Sequence, residues 1–123
     1  MTRLHHIQVT VAPGATANVV GFYESLGLTP IAKPVADGIQ ASGAWFETSS
    51  GGQLHVSERE GATPSGDRHF GLVVDGYDEL ITHLLQAGHR VDERPAVLGT
   101  RRAFSWDPEG NAVELIENAG GFA

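Results

Sequence analysis

A chain of 123 residues with 41% hydrophobic content has the length of a single domain and enough apolar side chains for one modest core. Its 8 Lys and Arg against 15 Asp and Glu give a net charge of -7 and leave no basic run to neutralise phosphates along a duplex, which excludes nucleic-acid binding. The absence of cysteine excludes disulfides, thiolate nucleophiles, iron–sulfur clusters and Cys-type zinc sites, so any metal must sit on nitrogen and oxygen.

The N-terminus, Met1 to His6, turns amphipathic without an apolar leader, and no stretch approaches the ~18 apolar residues of a membrane span. The expectation is a soluble cytoplasmic protein with no membrane partner. Leu4 to Val11 alternates Ile7, Val9 and Val11 with His6, Gln8 and Thr10, the period of a strand with two unlike faces. Past Pro13 and Gly14, the segment Thr16 to Leu26 places Val19, Phe22, Tyr23 and Leu26 on one helical stripe, which Gly27 stops. Strands are expected at 29–33, 41–48 and 53–58, the last two joined by the Ser50-Gly51-Gly52 turn. The segment Arg59 to Asp67, with Gly61, Pro64 and Gly66, reads as a hinge. The order then repeats. A strand over 68–74 precedes a helix with Tyr77, Leu80, Ile81 and Leu84 on one stripe up to Gly88, followed by strands at 90–94, 100–106 and 112–117. Pro108 to Asn111 supplies the last turn.

These two βαβββ modules, about 4–60 and 67–118 of one domain spanning 1–123, match at each landmark to within two residues. His6 precedes Gly27 by 21 positions and His69 precedes Gly88 by 19; Gly27 precedes His55 by 28 and Gly88 precedes Glu114 by 26. The match pairs His6 with His69 in the first strands and His55 with Glu114 in the last. His55 and Glu114 have apolar neighbours on both sides, so each points away from the apolar face of its strand.

Imidazole and carboxylate donors suit Zn, Ni, Co, Fe(II) or Mn. A carboxylate among neutral His groups needs a cation if it is not to stand unpaired, so the set His6, His55, His69 and Glu114 is expected to hold one divalent ion. Three or four protein ligands would leave positions open for water or a substrate oxygen. The alternative for Glu114 is a salt bridge to Arg101 or Arg102. His5 is read as structural, and His83 and His89 as solvated. Pocket candidates are Trp45, Arg101 and Trp106, beside Phe46, Phe104 and Arg102, with one aromatic of each hairpin assigned to core packing.

The segments LHHIQVTV, FYESLGL, QLHVSE, RHFGLVVDGYDELITHLLQAG and WDPEGNAVELIE, which cover essentially the whole chain, resemble the glyoxalase/bleomycin-resistance/dioxygenase, or vicinal-oxygen-chelate, superfamily. The resemblance implies an α+β fold of two βαβββ modules whose mixed sheet curves into a cup, completed in a homodimer. It also implies metal ligation by His6, His55, His69 and Glu114, with Glu114 as the catalytic group. Glyoxalase I types often carry Glu where His55 stands, which puts lactoylglutathione lyase activity in doubt; fosfomycin-modifying transferases and extradiol dioxygenases use a His/His/Glu set that His6, His69 and Glu114 match. Two functions follow. One is a metal-dependent lyase, isomerase or dioxygenase acting on a small molecule by Lewis-acid activation; the other is a metal-free protein that sequesters an antibiotic or natural product. The ligand set favours the first.

Overall fold

The computed structural model describes residues 1–123 and has ten elements in chain order. They are β1 (His6–Val11), α1 (Thr16–Ser25), β2 (Thr29–Ile31), β3 (Ala44–Glu47), β4 (Gln53–Glu58), β5 (His69–Val74), α2 (Tyr77–Gln86), β6 (Val91–Val97), β7 (Thr100–Trp106) and β8 (Ala112–Glu117). The chain divides into two compact units, Met1–Thr63 and Pro64–Ala123. Each is one βαβββ module, and the class is α+β. No helix is long and apolar enough to cross a membrane.

In the first unit the strand order is β1-β4-β3-β2, with β1 parallel to β4 and the other pairs antiparallel. Strand alternation sends Val9, Val11, Phe46, Leu54 and Val56 to one face, where they are buried with the α1 stripe of Val19, Phe22, Tyr23 and Leu26. The Tyr23 and Phe46 rings lie 5.9 Å apart in this layer. α1 lacks a side-chain cap of its own. Glu58, at the end of β4, takes that part: its carboxylate accepts from Gly14 N at 2.9 Å and Thr16 Oγ1 at 2.6 Å. A negative group is thereby set against the positive end of the helix. These two bonds hold the Glu58 carboxyl below its usual pKa.

The second unit repeats the plan as β5-β8-β7-β6, with β5 parallel to β8. Val113 and Leu115 of β8 and Ala103 of β7 are buried on the helix-bearing face with Tyr77 and Leu84 of α2. The turn into β8 is built by Asp107, whose carboxylate accepts from Glu109 N, Asn111 N and Asn111 Nδ2 at 2.8–2.9 Å.

β2 ends at Ile31 rather than 33, and two further boundaries depart from the sequence expectation for a backbone reason. β3 starts at Ala44 rather than 41, because Gly43 sits at φ 95°, a region that interrupts a strand. β6 continues past Arg94 to Val97 through Pro95. Proline is tolerated there because β6 is the edge strand, and the pairing with β7 shifts register between Arg94 and Val97.

Candidate functional site

Both sheets have a polar face opposite their helix, and the candidate residues stand on it at equivalent register positions. In the first unit, His55 lies opposite Gln8 of β1 and Trp45 of β3, with His6 one pair further along, opposite Gln53. In the second, Glu114 lies opposite Gly71 of β5 and Phe104 of β7, with His69 opposite Ala112. The pairing of His6 with His69 and of His55 with Glu114 is therefore present in the strand register.

The two pairs differ in geometry. His55 is sandwiched, with the Trp45 ring 3.9 Å away at 3° on one side and the His6 ring 4.1 Å away at 16° on the other. Its Nε2 donates to Gln53 Oε1 at 2.8 Å, while His6 Nδ1 lies 2.9 Å from His5 Nδ1. Burial, then the nearby His6, His5 and Lys33, pushes the His55 pKa down to about 4, so the ring is neutral at ordinary pH. A cavity of about 130 Å³ opens beside it, lined by Gln8, Gln40, Trp45, Ser57, Lys33 and Arg59.

In the second unit, His69 Nδ1 is 3.0 Å from the Asp67 carbonyl oxygen, which can only accept, so Nδ1 carries a hydrogen. That Nε2 faces Glu114 Oε1 at 3.7 Å. The other carboxylate oxygen, Oε2, accepts from Arg102 Nη1 at 2.9 Å. Glu114 is buried, and Arg102 also donates from Nε to the Pro95 carbonyl at 3.0 Å.

Whether these donors fit a divalent ion can be asked of each pair. His69 Nε2 and Glu114 Oε1 face each other at 3.7 Å, a gap that a proton on Nε2 or a cation between them would bridge. The Nδ1 bond to a backbone carbonyl also fixes the tautomer that a metal-ligating His needs. This pair fits. Lone pairs of imidazole lie in the ring plane, and a ligated ion sits about 2 Å from the nitrogen. The nearly parallel His6 and His55 planes therefore do not aim at one common point, and that pair fits only after a ring turns. Within neither unit do three or more His, Asp or Glu side chains come together in a metal-holding group.

The pocket candidates separate by strand parity. Trp45 lies on the polar face against His55, whereas Phe46 is 1% exposed in the core, as expected for that hairpin. In the second hairpin neither aromatic joins the helix-side core. Phe104 is buried, but it shares the Glu114 face with Trp106, its ring 4.8 Å from His69. Arg101 lies on the opposite side of the strand, paired with Asp78 at 2.9 Å and Glu117 at 2.6 Å and set over the Tyr77 ring. The partner of Glu114 is Arg102, the second of the two residues considered for that salt bridge. Arg90 and Arg94 were missed: their guanidinium groups sit 4.1 Å and 4.5 Å from the centres of the Trp106 and Phe104 rings. Alternation of Arg90, Asp92 and Arg94 along one strand was the signal that would have found them.

The sequence matches no protein-family model and no curated protein. Solved structures are similar over nearly the full length. A Bacillus anthracis protein described as of the glyoxalase family is 27% identical over 97% of both chains, with a TM-score of 0.86. A glyoxalase/dioxygenase from Nostoc punctiforme is 19% identical over 95% of this chain and 91% of its own, with a TM-score of 0.73. The fosfomycin resistance protein FosX from Listeria monocytogenes is 18% identical over 97% of this chain and 95% of its own, also with a TM-score of 0.73. The last two establish likeness of fold alone.

Proposed function

We propose, from the premise that this chain is a member of the glyoxalase/bleomycin-resistance/dioxygenase (vicinal-oxygen-chelate) superfamily, that it is a metal-dependent enzyme acting on a small molecule by lyase, isomerase or dioxygenase chemistry. The observation that carries the reading is the His69 Nε2 to Glu114 Oε1 pair, a nitrogen and a carboxylate oxygen facing each other at 3.7 Å with Nδ1 held from behind by a backbone carbonyl. In the proposal His69 and Glu114 hold one divalent ion of the Zn, Ni, Co, Fe(II) or Mn class, and His6 and His55, at the equivalent register positions, complete the ligand set. The superfamily forms homodimers, and a homodimer is proposed here too. The ion, when bound, supplies Lewis-acid polarisation of a substrate oxygen.

The chain's own groups do the rest. Glu114 is the proposed proton carrier: Oε2 is engaged by Arg102, so the proton would be taken by the lone pair of Oε1 that the ion would leave free. Arg102 fixes the carboxylate plane and keeps a buried anion paired. Phe104 packs against the edge of His69 and holds its orientation.

One observation favours a second reading, a protein that sequesters an antibiotic or natural product without chemistry. The His6, His55 and Trp45 rings form a continuous stack beside a cavity, a surface suited to a flat aromatic ligand. Elemental analysis of protein purified without chelators separates the two. About one ion per chain, lost in both His69→Ala and Glu114→Gln, is the expected result. No bound ion, even after soaking with Ni, Co, Zn, Mn and Fe(II), overturns the enzyme reading in favour of sequestration.

A further inference from the structure

The second unit gathers more guanidinium groups on the Glu114 face than pairing that one carboxylate requires. Arg94 of β6 and Arg102 of β7 are direct cross-strand partners on the Glu114 face, and like charges placed directly opposite each other are destabilising. Each is nevertheless fixed. Arg94 donates from Nε to Asp92 Oδ2 at 3.0 Å and lies over Phe104, while Arg102 is held by Glu114 Oε2 and by the Pro95 carbonyl. That carbonyl belongs to the segment where β6 slips register against β7, so the irregularity orients Arg102. Arg94 is bonded through Nε, which leaves its two terminal nitrogens for a ligand. Arg90, over Trp106 and 3.8 Å from Asp92, adds a third guanidinium to the same face of a chain whose net charge is -7.

We propose that Arg94 and Arg102 form a clamp for an oxyanion of the substrate, a carboxylate or a phosphonate, seated beside Glu114. The assignment rests on reading this face as the reaction site. The terminal nitrogens of Arg94 and the remaining Nη2 of Arg102, across one strand gap, match an anion with two or three oxygens, which adds negative charge between two like-charged partners. Phe104 beneath the Arg94 guanidinium keeps it from folding away, and Glu114 and the Pro95 carbonyl do the same for Arg102. With its charge held at the clamp, the substrate presents its neighbouring atoms to Glu114 Oε1.

Calorimetric titration with benzoate, phenylphosphonate and neutral benzamide, in metal-free and metal-loaded protein, tests this. The expected result is that at least one of the two anions binds metal-free protein at least about tenfold more tightly than benzamide. Arg94→Lys and Arg102→Lys, which keep the charge and lose the planar guanidinium, should each weaken that anion about tenfold, and Arg101→Lys, on the opposite side of the strand, should leave it unchanged. Circular dichroism confirms that the Lys variants fold. Benzamide binding as well as both anions, or both Lys variants keeping the affinity, overturns the clamp. Anion binding that appears only with metal loaded and ignores both Lys substitutions also overturns it, while leaving the metal site standing. Anion binding without metal stoichiometry does the reverse.

Discussion

His55 in the first unit and Glu114 in the second occupy the same register position, opposite the second face residue of the first strand and an aromatic of the third. Around His55 the neighbours are flat rings, and burial keeps the imidazole uncharged. Around Glu114 the neighbours are Arg102 and His69, so the position carries a negative charge with its counter-ion. The next strand shows why the units diverged. Where the second unit has Arg102, the first has Gly43 at φ 95°, and a Cβ there would collide with the Val56 carbonyl oxygen. Lys33, the cation beside that strand in the first unit, donates to the Ser42 carbonyl rather than to a carboxylate, and the ligand candidate there is neutral. The glutamates that end β4 and β8 diverge likewise: Glu58 caps α1, whereas Glu117 takes Arg101. A duplicated scaffold thus keeps backbone register while the side chains at one position take opposite electrostatic parts.

Exchanging residues between the modules breaks this comparison. Gly43→Arg puts the charge of the second unit into the first; the steric clash and the positive φ should cost about 3 kcal/mol or more in urea unfolding, with the m-value checking that the transition remains two-state. The reverse exchange, Arg102→Gly, strips the buried Glu114 of its partner and should cost about 1–3 kcal/mol, most of it recovered in the double variant with Glu114→Gln. If the double variant is no more stable than Arg102→Gly, the ion pair is not what matters at that position.

The neutral state of His55 gives a pH signature of the first unit. Its folded pKa, about 4, lies below the ordinary 6.5, so falling pH favours the unfolded chain. Its contribution in metal-free protein is intact above about pH 6.5 and should fall away by on the order of 1–2 kcal/mol as the pH drops toward 4. His55→Gln should remove that slope, measured by denaturation at several pH values. The smallest effect belongs to Arg101, whose pairs with Asp78 and Glu117 are solvent-facing: Arg101→Gln should lower the thermal midpoint by less than about 5 °C and leave metal content unchanged.

Every element of the fold was legible in the sequence, because apolar alternation and the two helical stripes carry the packing directly. The exceptions were at β2, which stops at Ile31, at β3, where Gly43 breaks the strand, and at β6, where Pro95 is compatible with an edge strand but not with an interior one. The equivalence of His6 with His69 and of His55 with Glu114 was also legible, since register follows from strand parity. Parity would also have chosen Arg102 over Arg101, because Arg102 shares its face with Phe104, the cross-strand partner of Glu114. The Trp45, His55 and His6 stack was not legible. Ring stacking depends on rotamers and on the Gln53 hydrogen bond, neither of which leaves a mark in sequence spacing.

The most direct test of the metal assignment is a cobalt(II) titration followed by electronic absorption, on the unaltered protein and on His6→Ala, His55→Ala, His69→Ala and Glu114→Gln separately. The expected result is saturation at one ion per chain, with binding lost in His69→Ala and Glu114→Gln and a changed band envelope in His6→Ala and His55→Ala. A spectrum that never saturates, or one that is the same in all four variants, would contradict it.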